Sequence, residues 1–512
     1  MFSIQAIQRY LDYNRPSFLP VKNATADRCR FRLAQEGFIT QYKTEPRPYQ
    51  WGPLYVALKN KQALLFLGPR AGKTKVALDY MTAITADHEA RKSPRPRFLV
   101  VVPSDEIVSV WEDLGQQHSD LSITCAYPPT ANRKRMLEAE TDLVIIPFSG
   151  IQAIGSKEVV SARKKKTVLA PNVEELRRIG SRFDGVIVDE IHHCKSSKSL
   201  RYKMMKILME NKPYRLGLTG TPFGRDPYAL WAQFYLIDDG KTLGSNQFFF
   251  EQAFSCPSQN PFRMYEFDQR KNPILSRKVW GGAYSLTTME ALGVSAIEHN
   301  KVRLRPTLEQ KERIREAVRN LPLGGEELKM TYMKMRQIAS GFTRLPNGRD
   351  IPIGDNPKLG WLESEMDEFE GQAAIFYVFD WSGQQIAKLM ASMKIPAVWI
   401  HGGQKDNAQK IRDYRSGKAQ VAIIQCLVGS EGIDLSDTDR QIIYECPDKV
   451  IVYTQMDYRA ISATRTKPLV VDDLIVAPVE ELIAKYMKEG KDLLKDIVFN
   501  PKLLAGVDAW NP

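Results

Sequence analysis

Cysteine and histidine are both scarce in this chain of 512 residues, with six of each. The cysteines, Cys29, Cys125, Cys194, Cys256, Cys426 and Cys446, are scattered, with no CxxC pair and no accompanying histidine cluster. That spacing argues against a disulfide framework and against a structural zinc site. Long apolar runs are missing too. None approaches the roughly 18 residues of a membrane helix, and the amino terminus, MFSIQAIQRYLDYNRP, has no apolar core of signal-peptide length. No membrane role is expected, and a reducing cytoplasm fits. The sequence shows no repeat at solenoid periods and no low-complexity tract. What it does have is 43% hydrophobic and 26% charged residues, enough to build cores, in a length that calls for about three folding units. Lys and Arg total 72 against 60 Asp and Glu, a formal +12 that favours a polyanionic partner.

Short apolar runs punctuate the first half, at Ala63 to Leu67, Phe98 to Val102, Leu143 to Ile146, Gly185 to Val188 and Leu216 to Leu218. Separated by polar, helix-patterned stretches, they predict central strands of a parallel sheet covered on both faces by helices. The rhythm lapses from about Asp238 to Asn356, where Phe, Pro and Gly clusters precede a helical stretch from Thr307 to Asn320. It resumes at Ala373 to Val378, Pro396 to Ile400, Val421 to Leu427, Gln441 to Tyr444 and Leu469 to Val476. The expected fold class is α/β, with two parallel-sheet lobes at 47–237 and 357–479 and a partly helical insert at 238–356. An accessory element at 1–46 and a closing amphipathic helix and tail at 480–512 complete the chain.

The stretch LFLGPRAGKT, ending at Thr74, lies where a strand must turn into a helix running through Val76, Ala77 and Met81. A bound phosphate needs backbone N–H groups at a helix start, a lysine beside its terminal oxygens and a hydroxyl for magnesium. Gly72, Lys73 and Thr74 supply these. The strict spacing GxxxxGK[ST] would put glycine where Leu67 stands. A second stretch, FDGVIVDEIHH, places Asp189 and Glu190 at the end of a buried strand, where adjacent carboxylates are costly unless they serve a cation or a reaction. Asp189 is expected to hold magnesium, and Glu190 to orient and deprotonate an attacking water. His192 and His193 are expected to diverge and have no third ligand, so they do not read as a metal site.

With these elements in order, the chain resembles the superfamily 2 helicases and translocases, specifically their Swi/Snf-like DExH branch, which has two RecA-like lobes. RPYQ, at Arg47 to Gln50, is similar to that family's adenine-reading element. VVPS, at Val101 to Ser104, followed by VWED, resembles its first nucleic-acid-contacting motif, DEIH its DExH box, and LTGTP, at Leu218 to Pro222, its third motif. GSEGIDL, at Gly429 to Leu435, and QMDYR, at Gln455 to Arg459, resemble motifs five and six. The resemblance implies that Gln50, Gly68, Ala71, Gly72, Lys73, Thr74, Gly432 and Asp434 bind ATP, and that Thr74 and Asp189 hold Mg2+. It assigns catalysis to Lys73, Asp189, Glu190, Arg459 and Arg465. Ser104, Ser149, His192, Thr219, Thr221 and Gln455 would contact nucleic acid or couple it to the nucleotide. Two positions depart from the family. Arg70 stands where a glycine is usual, and Ser462 where an arginine finger is expected, so that role falls to Arg465 after a locally longer turn, to Arg459 alone, or to both.

Between Lys157 and Lys206 lie thirteen Lys and Arg against six Asp and Glu, Arg163 to Lys166 among them. Between Lys301 and Arg319 the count is seven against three. Such segments track a phosphate backbone, which carries affinity without sequence information. The expected activity is that of an ATP- and Mg2+-dependent helicase or translocase on duplex, branched or single-stranded DNA, working as a monomer. A phage or bacterial source suits so compact an enzyme, and with it the bacterial or phage-infected cytoplasm. An RNA helicase, or the DNA-binding motor subunit of a larger restriction or defence assembly, stands second.

Overall fold

The apolar runs of the first half become strands of one parallel sheet because both of its faces are covered. In the computed structural model β1 (Gln62–Leu67), β2 (Phe98–Val102), β3 (Ile123–Cys125) and β4 (Leu143–Pro147) are followed by an antiparallel hairpin, β5 (Ser156–Ser161) with β6 (Lys166–Pro171). β7 (Gly185–Val188), β8 (Tyr214–Thr219), a short hairpin of β9 (Ser255–Pro257) with β10 (Tyr265–Phe267), and β11 (Ala283–Leu286) complete the set. The seven-stranded sheet runs β11-β1-β8-β7-β2-β4-β3, every pairing parallel. Successive residues point to opposite faces. Leu64, Phe66, Leu99, Val101, Val186 and Val188 enter one apolar cluster, and Leu65, Leu67, Phe98, Val100, Val102 and Ile187 the other.

The structure describes residues 3–13, 24–38, 40–161, 166–220, 227–257, 264–292, 297–322, 325–404, 406–429, 433–436, 438–457, 459–460, 469–489, 493 and 502–505. They divide into two compact units, Met1–Gly293 and Val294–Pro512. In the second unit β12 (Ile297–Arg303), the hairpin of β13 (Phe342–Arg344) with β14 (Asp350–Pro352), β15 (Ala373–Tyr377), β16 (Ala397–Ile400), β17 (Val421–Gln425), β18 (Arg440–Ile443) and β19 (Leu469–Ile475) follow in order. Its six-stranded parallel sheet runs β12-β19-β18-β15-β17-β16. The fold class is α/β with two parallel sheets, as expected. Among the described residues no helix is long and apolar enough to cross a membrane.

The expected insert at 238–356 is not a body of its own. The boundary between units falls at residue 293, and each side donates an edge strand, β11 to the first sheet and β12 to the second. Neither strand carries the apolar run of a central one. β12 reads IleGluHisAsnLysValArg and is exposed at Glu298, Asn300, Lys301 and Arg303, while the apolar run of β11, AlaTyrSerLeu, is broken by Ser285. The residues before 47 likewise join the first unit. Cys29 and Leu33 are buried in its core, and the buried Lys278 donates through Nζ to the Tyr10 carbonyl at 2.5 Å, beside the end of the helix Ile4–Asp12. The helical stretch from Thr307 is a helix, Leu308–Arg319, started by a capping box of Thr307 and Gln310. Of the closing segment, the helix Pro478–Lys488 is described, with Ile483 and Met487 buried.

That last helix is locked by a buried ion pair. Lys358, fully buried, donates at 2.5 Å to the Glu480 carboxylate and at 2.5 Å to the Tyr444 carbonyl, while the other Glu480 oxygen accepts from Val476 N at 2.8 Å. Removing one partner leaves an uncompensated buried charge, which costs about 3–5 kcal/mol. Lys358→Met is therefore expected to lower the unfolding free energy of the second unit by an amount in that range, measured by urea equilibrium unfolding.

Candidate functional site

In a parallel sheet all carboxyl ends lie along one edge, the edge where ligands of open α/β sheets bind. The phosphate-loop residues follow β1, Ser104 follows β2, Ser149 opens the helix after β4, Asp189 and Glu190 follow β7, and Thr219 ends β8. Sequence separation is thereby converted into a single row.

The loop after β1 bends through two left-handed residues. Gly72, with φ +78°, caps the helix Lys73–Ala90. Arg70, at the position where a glycine is usual, adopts φ +64°, so the backbone keeps a glycine-like conformation at some steric cost. The loop is closed on both sides. A Cβ on Gly72 would lie 2.2 Å from the Gln50 amide nitrogen, and one on Gly68 would lie 2.7 Å from the Thr288 amide and hydroxyl. Thr288 also donates to the Pro69 carbonyl at 2.7 Å. Ala71 is buried, and Gln50, buried as well, accepts from Arg47 N at 2.8 Å, which leaves its amide N–H groups facing the loop.

β7 stops at a strained turn: Glu190 has φ +47° and ψ +54°, and a single 3-10 turn, Ile191–Cys194, follows. This turn presents two carboxylates in different surroundings. Asp189 accepts from the Trp111 indole N–H at 2.9 Å and from Glu190 N at 3.0 Å. Burial, and then the neighbouring Glu190 charge, pushes its carboxyl up to about 6. Burial acts to raise Glu190 as well, but Lys73 Nζ at 3.3 Å, with His192 and Thr219, outweighs it and holds that carboxyl well below the usual range. Thr219 donates to Glu190 Oε2 at 3.0 Å, and His192 Nδ1 lies 3.0 Å from that hydroxyl and 3.1 Å from the same oxygen. Glu190 is thus ionised and oriented.

The histidines correct an expectation. Their rings do not diverge but stack, centroids 4.7 Å apart, because the tight turn brings successive side chains together. Among the described residues no group of three or more His, Cys, Asp or Glu side chains is placed to hold a metal ion. Magnesium in a nucleotide complex needs only one or two protein ligands beside the phosphates. Asp189, with one donor on each oxygen, and Thr74, in the first turn of its helix, fit that demand.

The second unit brings together part of its own set. Leu435 N donates to the Arg459 carbonyl at 3.4 Å, so the segment of Asp434 meets the segment of Arg459. Asp434 is ion-paired with Arg415 at 3.4 Å, and Gln455 is buried in the helix Val450–Asp457. Thr221, Gly432, Arg465 and the basic Arg163 to Lys165 lie outside the described residues.

Sequence reasoning missed three supports. Trp111 lies within the quoted VWED, yet an indole in an apolar helix reads as core, and only the fold shows its N–H on Asp189. Thr288 sits in the stretch taken as insert. Lys75 and Asp79 pair at 2.5 Å, and Lys75 also donates to the Thr44 carbonyl at 2.8 Å, pinning the approach to Gln50 onto the phosphate-loop helix. Their i,i+4 spacing was the available signal.

Two family profiles match in chain order. Residues 31–224 match the one described as type III restriction enzyme, res subunit, and residues 357–464 match the helicase conserved C-terminal domain. The chain belongs to the superfamily 2 helicases. Membership implies ATP binding and ATP hydrolysis. Among relatives, the DNA 3'-5' translocase XPB2 of Sulfurisphaera tokodaii is 22% identical over 417 residues, 78% of this chain and 75% of that protein. The DEAD-box ATP-dependent RNA helicase 51 of Arabidopsis thaliana is 30% identical over 111 residues, 22% of this chain and 19% of that protein. A solved structure titled Sulfolobus solfataricus SWI2/SNF2 ATPase core in complex with dsDNA aligns at 19% identity with TM-score 0.40, covering 92% of this chain and 98% of that one.

Because a Cβ at position 72 collides with Gln50, Gly72→Ala in this helicase is expected to weaken binding of a fluorescent ATP analogue by about tenfold or more, a coupling of at least ~1.4 kcal/mol. Gly360→Ala, with nothing within 4 Å, is the control that leaves binding unchanged in the same titration.

Proposed function

We propose that this superfamily 2 helicase is a Swi/Snf-like DNA translocase, coupling Mg2+-dependent ATP hydrolysis to movement on duplex or branched DNA. The observation that carries the reading is the closed set Lys73, Glu190, His192 and Thr219 beside a buried Asp189, at the carboxyl edge of one sheet. Glu190, ionised and held from two sides, orients and deprotonates the attacking water; Lys73 meets the terminal phosphates; Gln50 reads the base. Magnesium held by Thr74 and Asp189 would neutralise charge on the phosphates. Arg459 and Arg465, on the second lobe, would complete the transition-state charge as arginine fingers, and Asp434 and Gly432 would join the nucleotide. Ser104, Ser149, Thr221 and Gln455 would meet the nucleic acid. DNA is favoured over RNA because the relative named as a DNA translocase aligns over 78% of the chain, whereas the RNA helicases align over 13–25%. The description of the amino-terminal profile favours a second reading, the motor subunit of a larger restriction assembly.

Lys73→Ala and Glu190→Gln are each expected to abolish nucleic-acid-stimulated ATP hydrolysis while leaving DNA binding largely intact. Phosphate release measured with duplex DNA, single strands, a branched junction and RNA tests the substrate. Full rates in both variants would sink the site assignment, and stimulation by RNA alone would sink DNA as substrate. An isolated chain that none of the four stimulates would favour the motor-subunit reading.

A further inference from the structure

His193 is not used in the mechanism above, yet it is tied to more of the first unit than any solvated histidine needs to be. Its ring stacks on His192, whose Nδ1 reaches Glu190 and Thr219. On its other side His193 Nδ1 lies 3.2 Å from Arg201 Nη1. Guanidinium is only a donor, so His193 accepts there and carries its proton on Nε2. The Arg201 guanidinium also sits 5.3 Å over the Phe148 ring, and Phe148 packs edge-on to His193 with centroids 5.7 Å apart. Arg201 is thus fixed by a stack and a hydrogen bond, although it belongs to the acid-free basic run from Lys195 to Lys206. Phe148 is the residue before the exposed Ser149, at the carboxyl end of β4.

We propose that Arg201 receives a backbone phosphate of the nucleic acid, and that His193 and His192 pass its engagement to Glu190. Arg201 is the binding residue and His193 a positioning residue; the inference rests on the reading of this protein as a nucleic-acid-stimulated ATPase. A planar fork already stacked on an aromatic ring binds phosphate with little further loss of freedom. A phosphate that draws on the guanidinium competes with the His193 acceptor, and the stacked imidazoles then shift against the carboxylate they orient.

The test compares the ratio of DNA-stimulated to unstimulated kcat. Arg201→Ala and His193→Ala are each expected to lower that ratio about tenfold, within the usual range of coupling between two sites. The double variant is expected to fall no further than either single one, because both act on one path. His193→Gln, which keeps an acceptor, recovers most of the ratio; Arg201→Lys, which keeps charge without the planar stack, leaves half-maximal DNA concentration near that of the wild type but the ratio low. A ratio unchanged in the alanine variants, losses that multiply in the double variant, a Gln variant as poor as Ala, or a Lys variant with full ratio would each overturn the relay. Wild-type protein that DNA stimulates, beside such variants, leaves the functional reading standing; wild-type protein that no nucleic acid stimulates overturns both. Should the alanine variants fail to fold, as thermal melting would reveal, the Gln and Lys variants decide alone.

Discussion

The ion pair of Lys73 with Glu190 is the constraint on which the first unit's chemistry depends. A carboxylate at the end of a buried strand is tolerable only with a cation and donors around it. Here the cation comes from the helix after β1 and the carboxylate from the turn after β7, so the order β1-β8-β7 must hold for them to meet. Thr219, at the end of the strand between them, donates to the same carboxylate. The sheet's hydrophobic pattern therefore sets the electrostatics: a register shift of one residue would send Leu65 and Leu67 to the wrong face and Lys73 away from its partner.

The two adjacent acids show how the fold separates roles that residue type leaves equal. Asp189 is buried against an indole N–H and its carboxyl is pushed upward, whereas Glu190 is surrounded by positive and hydroxyl groups and stays charged. The left-handed backbone at Glu190 makes this split possible, since an extended residue there would direct its carboxylate to the opposite face of the sheet.

Much of this was legible from the chain. Central strands announce themselves as unbroken apolar runs because both faces of a parallel sheet are covered, and Gly72, Lys73, Thr74, Asp189 and Glu190 stand at the ends of such runs. Edge strands do so unevenly. β16 shows as the run from Pro396 to Ile400, whereas β12 is polar and the apolar run of β11 is broken by Ser285, so a stretch that finishes two sheets reads as an insert. Contacts made only through tertiary structure were equally silent: nothing in the sequence tells that Trp111 addresses Asp189, that Thr288 grips the phosphate loop, or that neighbouring histidines stack. Arg70 illustrates the converse, a non-glycine residue held at a left-handed φ of +64°.

The pairing of β12 with β19 has a bearing on how the protein is made. The first strand of the second unit waits for the last, some 170 residues later, before its edge is satisfied, and Lys358 waits for Glu480. The first unit, contiguous in sequence and ended by residue 293, has every strand it needs while the rest is still on the ribosome. Non-local parallel pairing is slow. Synthesis thus proceeds with a complete first unit tethered to a nascent second unit whose apolar strands are not yet covered.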